Sequence, residues 1–293
     1  MLFRGSVPLR PRGVSSGETR NGGWCQPRLD IGAMTSQAAI TAAVDRLDSA
    51  AISRTACEPV RDLLGHDNIP AAYLVQTQLL ERRTRRGAVR VGRKIGLTAT
   101  TVQAQLGVDQ PDFGVLLDDM AVADNGVVPS GRLVQPKVEG EIAFLLSDDI
   151  EGKITYESAR AAVAGMYAAI EIVDSRIRDW DITIIDTVAD NASSGLFVLG
   201  DHLVGLDVLE PAEAQMSLAV NGVVVSTGTG TACMGDPLTS LVWLARTANR
   251  LGAPLRKGEV VLSGALGPMV PVESGDRVDV AIETLGTTRV SFA

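Results

Sequence analysis

Apolar positions recur along this chain with two different periods, and the change from one to the other divides it. From residue 35 to about 90 they fall at helical spacing. "TSQAAITAAVDRLDSA" begins at a helix-capping Thr35 or Ser36, and "IPAAYLVQTQLLERR" opens with a proline in the first turn, where its missing N–H is not needed. Further on, short runs of Val, Ile and Leu punctuated by Gly, Asn and Asp predict strands: "VGRKIGLT", "EIAFLL", "AAIEIV", "GLFVLG", "SLAVNGVVVST", "EVVLSGAL" and "RVDVAIETLGTTRVSFA". Asn221-Gly222 between alternating segments predicts a hairpin. Two helices interrupt this half, one over 155–165 and one in "DPLTSLVWLARTANRLG", where Asp236 caps, Pro237 takes the first turn and Gly252 ends it.

Helices followed by a larger antiparallel or mixed β part, without regular βαβ alternation, predict an α+β fold. The expected organisation is one domain over 34–293, with a helical part at 34–92 and a β-rich core at 93–293. Residues 1–33 are rich in Arg, Gly, Ser and Pro and have no apolar period. They lack the apolar stretch of a secretory signal, and the expectation is a disordered tail or a start assigned upstream of Met34.

One strand breaks its own pattern. In "VEGEIAFLL", Glu139 and Glu141 interrupt an otherwise apolar run two positions apart. Alternation puts both on one strand face, roughly 6.5–7 Å apart, with Val138, Gly140, Ile142 and Phe144 on the other. Two carboxylates in apolar company repel each other and lose hydration, which a divalent cation would compensate. Oxygen ligands suit Mg²⁺ or Mn²⁺ better than zinc. Glu171 sits in a second apolar strand, 30 residues after Glu141. A connection containing the 155–165 helix would bring the two strands side by side. The alternative is that each glutamate pairs with an arginine such as Arg176 or lies at an exposed edge. Lys94 enters another strand, where it is either a surface residue or, near a metal, a group that binds a carboxylate or moves a proton. Asp112 follows a proline turn, and Ser194 belongs to a polar segment, "ADNASSG", whose hydroxyls could orient a ligand.

Charge and composition narrow the chemistry. The net charge of −8 argues against a nucleic-acid partner. The basic run "ERRTRRG" reads as a solvated helix end favoured by the helix dipole. No apolar run approaches the roughly 18 to 20 residues of a membrane span. Cys25, Cys57 and Cys233 are scattered and odd in number, which fits a reducing cytoplasm rather than a disulfide framework. His66 and His202 have no metal spacing, no serine lies in G-x-S-x-G, and "GTGTACMG" matches neither nucleotide-binding glycine pattern.

"KIGLT", "QLGVDQPDFG", "VEGEIAF", "EIVDSRI", "DTVADNASSGLFVLG" and "LSGAL" follow one another in an order that resembles the 2-keto-4-pentenoate (2-hydroxypenta-2,4-dienoate) hydratases of the fumarylacetoacetate hydrolase superfamily. The resemblance covers about residues 35–293. It implies a mixed β-roll core and a metal, Mg²⁺ or Mn²⁺, held by Glu139, Glu141 and Glu171. It also implies Lys94 and Asp112 as active-site residues and Ser194 close to the substrate. It further implies a small 2-hydroxy-dienoate or 2-oxo acid substrate from meta-cleavage of aromatic or steroid rings. The chain would form a homo-oligomer, able to join a decarboxylase or aldolase of the same pathway. The nearest rival is the sister 4-oxalocrotonate decarboxylase, which Gly140 argues against, because those enzymes tend toward Ala there. A non-catalytic partner subunit of such a decarboxylase is a further alternative. C–C hydrolases of the superfamily need a histidine base near the metal, and His66 is the only histidine in the first half of the chain.

Overall fold

Side-chain caps set where the first helices begin. In the computed structural model, which describes residues 35–99, 103, 108 and 110–293, Ser36 Oγ accepts from Ala39 N and opens α1 (Gln37–Ser53). A single turn, α2 (Arg61–Leu64), precedes α3 (Ile69–Arg85), which Asn68 caps through Ala71 N. The expected tail or misassigned start at 1–33 lies outside the described residues. The basic run closing α3 is exposed over residues 84–87, as read from the sequence, and its arginines are also paired. Arg82 bridges Asp45 and Asp48 at 2.6 and 3.3 Å, Arg86 pairs with Asp48 at 2.7 Å, and Arg83 reaches Asp119 at 2.6 Å. The charges are legible in sequence; the packing of α1 on α3 that pairs them is not.

The strands are β1 (Arg90–Gly96), β2 (Asp112–Leu117), β3 (Ala121–Val122), β4 (Gly126–Val128), β5 (Pro136–Leu146), β6 (Val163–Asp174), β7 (Ser194–Leu199), β8 (Gln215–Val220), β9 (Val223–Thr229), β10 (Val260–Ala265), β11 (Val270–Pro271), β12 (Arg277–Ile282) and β13 (Gly286–Phe292). They form a mixed eight-stranded sheet, ordered β2-β1-β10-β5-β6-β7-β3 with β11 on β5, and a five-stranded sheet, ordered β4-β13-β12-β8-β9. The α+β expectation holds, with a helical part leading into a curled mixed sheet. The main core lies between the sheets. On β5, Gly140 faces the second sheet so closely that a Cβ there would stand 2.9 Å from Met216 Cγ and 3.1 Å from Val280 Cγ1. Asn221-Gly222 turns β8 into β9, both residues with positive φ. The glycines of "GTGTACMG" serve close backbone approach: a Cβ on Gly228 or Gly230 would collide with the carbonyl of Leu266 or Pro211.

Between β5 and β6 stands α4 (Tyr156–Ala161), shorter than the expected 155–165 helix. The sequence reading missed α5 (Ile184–Ala189), whose six residues are too few to show a period. The last helix, α6 (Pro237–Arg250), has the expected Asp236 cap, donated to by Leu238 N at 2.9 Å.

A smaller apolar core joins α1, α2 and α3 to α5 through Ile40, Val44, Leu64, Val75, Ile185 and Val188. Asp186 fastens it. Its fully buried carboxylate accepts from Val60 N (2.8 Å), Arg61 N (3.0 Å), Arg61 Nη1 (2.7 Å), Thr183 N (2.9 Å) and Thr183 Oγ1 (2.9 Å). Removing one partner of such a buried pair leaves donors and a cation without compensation, at about 3–5 kcal/mol. Asp186→Ala should therefore lower the urea midpoint by a corresponding amount. An unchanged midpoint would refute the fastening role.

Candidate metal centre

Strand register brings the three glutamates together. β5 pairs antiparallel with β6 so that Glu139 stands directly opposite Glu171, and Glu141 follows two residues on, opposite Ala169. Alternation keeps all three on the face away from the second sheet. One carboxylate oxygen from each lies within 4.8 Å of the other two. All are buried, at 9%, 0% and 1% exposure for Glu139, Glu141 and Glu171. Arg176, the alternative partner weighed from sequence, is instead engaged with Asp190 at 2.5 Å.

Among the described residues, few groups compensate this charge. Lys94, in the middle of β1 rather than at a strand entrance, places Nζ 2.9 Å from Glu171 Oε1. The backbone N–H of Gly264 donates to Glu141 Oε2 at 2.8 Å. Glu141 Oε1 and Glu171 Oε2 have no hydrogen-bond partner among the described residues. Burial, reinforced by Glu171, lifts Glu139 to about 7, and the same two causes lift Glu141 well above the usual carboxylate range. Burial works against the charge on Lys94, but Glu171, Asp112 and Glu139 outweigh it and hold the ammonium above its ordinary value. One lysine cannot balance this many acids. Orphaned buried oxygens and an all-oxygen donor set fit a hard divalent cation, with Glu139, Glu141 and Glu171 to hold it.

Asp112 stands at the start of β2, opposite Gly96 of β1, and is raised by burial against the opposing pull of Lys94 and Thr187. Its Oδ2 accepts from Thr187 Oγ1 at 3.3 Å, while Oδ1 has no partner among the described residues. A Cβ at Gly96 would lie 2.2 Å from that Oδ1 and 3.6 Å from Lys94 Nζ, so the missing side chain lets the two groups approach the same space. Ser194 Oγ donates to the carbonyl of Asn191 at 2.8 Å and makes no hydrogen bond to the acids among the described residues. His66 and His202 are exposed, unlike the buried acids.

Sequence reasoning missed three parts of this site. Thr187 and the Gly264 amide fall inside motifs quoted above, but a backbone donor carries no residue signature. The thiol of Cys233, donating to Gly264 O at 2.8 Å, was dismissed with the scattered cysteines.

The fumarylacetoacetate (FAA) hydrolase C-terminal family matches this chain over residues 89–293. The 2-keto-4-pentenoate hydratase 1 of Dechloromonas aromatica is 48% identical over 253 residues, 86% of this chain and 96% of its own. The 2-hydroxyhexa-2,4-dienoate hydratase of Comamonas testosteroni is 42% identical over 84% of this chain and 95% of its own. Among solved structures, 4-oxalocrotonate decarboxylase from Pseudomonas putida G7, complexed with magnesium and adipate, superposes with a TM-score of 0.85 at 30% identity, covering 88% of this chain and 98% of that one.

Proposed function

The chain belongs to the fumarylacetoacetate hydrolase family, and from that premise we propose that it is a metal-dependent hydro-lyase acting on 2-hydroxypenta-2,4-dienoate or a close homologue. The carrying observation is the buried carboxylate cluster with Lys94 and Asp112 beside it, in a chain 48% identical to a 2-keto-4-pentenoate hydratase. Nothing about a purely structural subunit calls for so much buried, incompletely paired charge.

Glu139, Glu141 and Glu171 would hold Mg²⁺ or Mn²⁺, which when bound supplies Lewis acidity toward a 2-oxo acid and a template for its oxygens. Lys94 offers a fixed cation for the substrate carboxylate and for negative charge developing at the C2 oxygen. Ketonisation of the dienol removes the C2 hydroxyl proton and adds one at C5, leaving a 2-oxo-3-enoate whose C4 is electrophilic by conjugation. Asp112 then takes a proton from water as its oxygen bonds to C4, and a proton added at C3 completes 4-hydroxy-2-oxopentanoate. Ser194 is assigned to the substrate's surroundings.

The decarboxylase reading retains its likeness in fold, but the higher identity lies with the hydratases. Gly140, set against the decarboxylase on sequence grounds, points at Met216 and Val280 of the second sheet. A residue there acts through sheet spacing rather than by touching substrate.

Chelator-stripped protein should leave the ultraviolet dienol band of 2-hydroxypenta-2,4-dienoate decaying at its uncatalysed rate. Restored Mn²⁺ or Mg²⁺ should accelerate the loss, with 4-hydroxy-2-oxopentanoate as product. Release of CO₂ from 2-oxo-3-hexenedioate, with the dienoate untouched, would move the chain to the decarboxylases.

A further inference from the structure

Asp112 is held by a hydroxyl that comes from outside the cluster. Thr187 lies on α5, and its hydroxyl and the Asp112 carboxylate are both buried, at 5% and 2% exposure. A carboxylate rotates about a broad, two-fold χ2 torsion, so without a donor its two oxygens would exchange places freely. With Thr187 on Oδ2, one oxygen is committed and the other, which has no partner among the described residues, faces the space that Gly96 leaves between it and Lys94.

The residues on either side of Thr187 are tied down as well. Asp186 is bonded to Val60 and Arg61, and the carbonyl of Val188 accepts from Gln76 Nε2 at 3.1 Å. The same Gln76 nitrogen donates to the carbonyl of Phe113, the residue after Asp112, at 3.0 Å. One buried amide of α3 therefore fixes the segment carrying the hydroxyl to the strand carrying the carboxylate. This spacing is set by the helical part of the chain, which supplies none of the three glutamates.

We propose that Thr187 is a positioning residue for the proton transfers of this site, its hydroxyl holding Asp112 Oδ2 so that Oδ1 remains free on the side of Lys94, with Gln76 fixing the distance between their segments. Thr187 acts through Asp112 and need not touch substrate. The reaction assayed rests on the hydratase reading; the geometry does not.

The test uses the full chain reconstituted with Mn²⁺ and compares Thr187→Val, which keeps the volume and removes the donor, with Thr187→Ser, which keeps the donor. Hydration of the dienoate gives kcat and KM, electron paramagnetic resonance gives Mn²⁺ affinity, and proton NMR in D₂O follows exchange at C3 of 2-oxopentanoate, a proton transfer that needs no hydration. Thr187→Val should lower kcat and the exchange rate about 10- to 100-fold, the range for losing an outer-shell partner, with KM and Mn²⁺ affinity nearly unchanged. Thr187→Ser should recover most of both rates. Wild-type rates in Thr187→Val, an equal fall in Thr187→Ser, or a parallel fall in Mn²⁺ affinity would each overturn the proposal. If the native chain exchanges C3 protons but does not hydrate the dienoate, the hydratase reading fails and the exchange comparison still decides Thr187. A native chain with neither activity overturns both.

Discussion

Glu141→Gln protein is expected to bind Mn²⁺ more than about a hundredfold more weakly than the native chain and to lose hydration in proportion. Loss of an outer-shell partner alone costs 10- to 100-fold at metal sites, and this change removes a ligand. Glutamine keeps the shape and can still accept from the Gly264 amide, so the fold should survive. Bound metal stabilises by mass action, about 2.7 kcal/mol at a hundredfold excess over Kd. The native chain should therefore melt higher with Mn²⁺, whereas Glu141→Gln should not respond. Full Mn²⁺ affinity in the variant would sink the ligand assignment.

The pH dependence of this site follows with its sign. Glu139 must be ionised to hold the cation, and in the metal-free protein burial and Glu171 raise it to about 7. Protons therefore compete, and Mn²⁺ affinity should weaken as pH falls through about 7. Stability of the metal-free protein runs the other way. The folded state holds protons on Glu139 and Glu141 that the unfolded chain releases near pH 4.5, so stability falls as pH rises from there through about 7. Bound metal should flatten that slope.

Lys94→Met is the second large effect. The fixed ammonium beside Glu171 disappears, and kcat should drop about 10²- to 10⁴-fold, the range for a positioned proton-transfer or charge-stabilising group. Metal affinity should respond according to pH. Lys94 lowers Glu139 and Glu141, so without it protons compete more strongly near neutral pH. At alkaline pH, where the acids are ionised, the cluster is more negative and Mn²⁺ should bind at least as tightly. Kinetics and Mn²⁺ titration on the same preparation separate the two. Weakened metal binding at alkaline pH would mean that Lys94 organises the acids rather than acting on substrate.

The carboxylates were legible because strand alternation is strict: two glutamates two apart in an apolar run must share a face, whatever surrounds them. Their convergence with Glu171 was only a conjecture from the length of the intervening connection, since the register that sets Glu139 opposite Glu171 depends on that connection's geometry. Lys94 was ambiguous for a similar reason. A lysine in a strand reads as surface until a neighbouring strand supplies its counter-charge. Thr187 was hidden on a helix too short to show a period, and the Gly264 amide carries no side-chain signal at all. The arginines at the end of α3 were legible as solvated helix-end charge, but not their pairing, because the acidic partners lie on α1 and at Asp119.

The direct opposition of Glu139 and Glu171 also bears on how the chain reaches its native state. A slip of one residue between β5 and β6 would turn one strand's acids into the gap where Gly140 meets Met216 and Val280, a contact too tight for any side chain without rearrangement. A slip of one residue therefore cannot assemble the three-carboxylate cluster. A divalent cation present during folding would thus be captured by the native alignment of these two strands and not by its one-residue slip, making it a selector of strand register before it takes any part in chemistry.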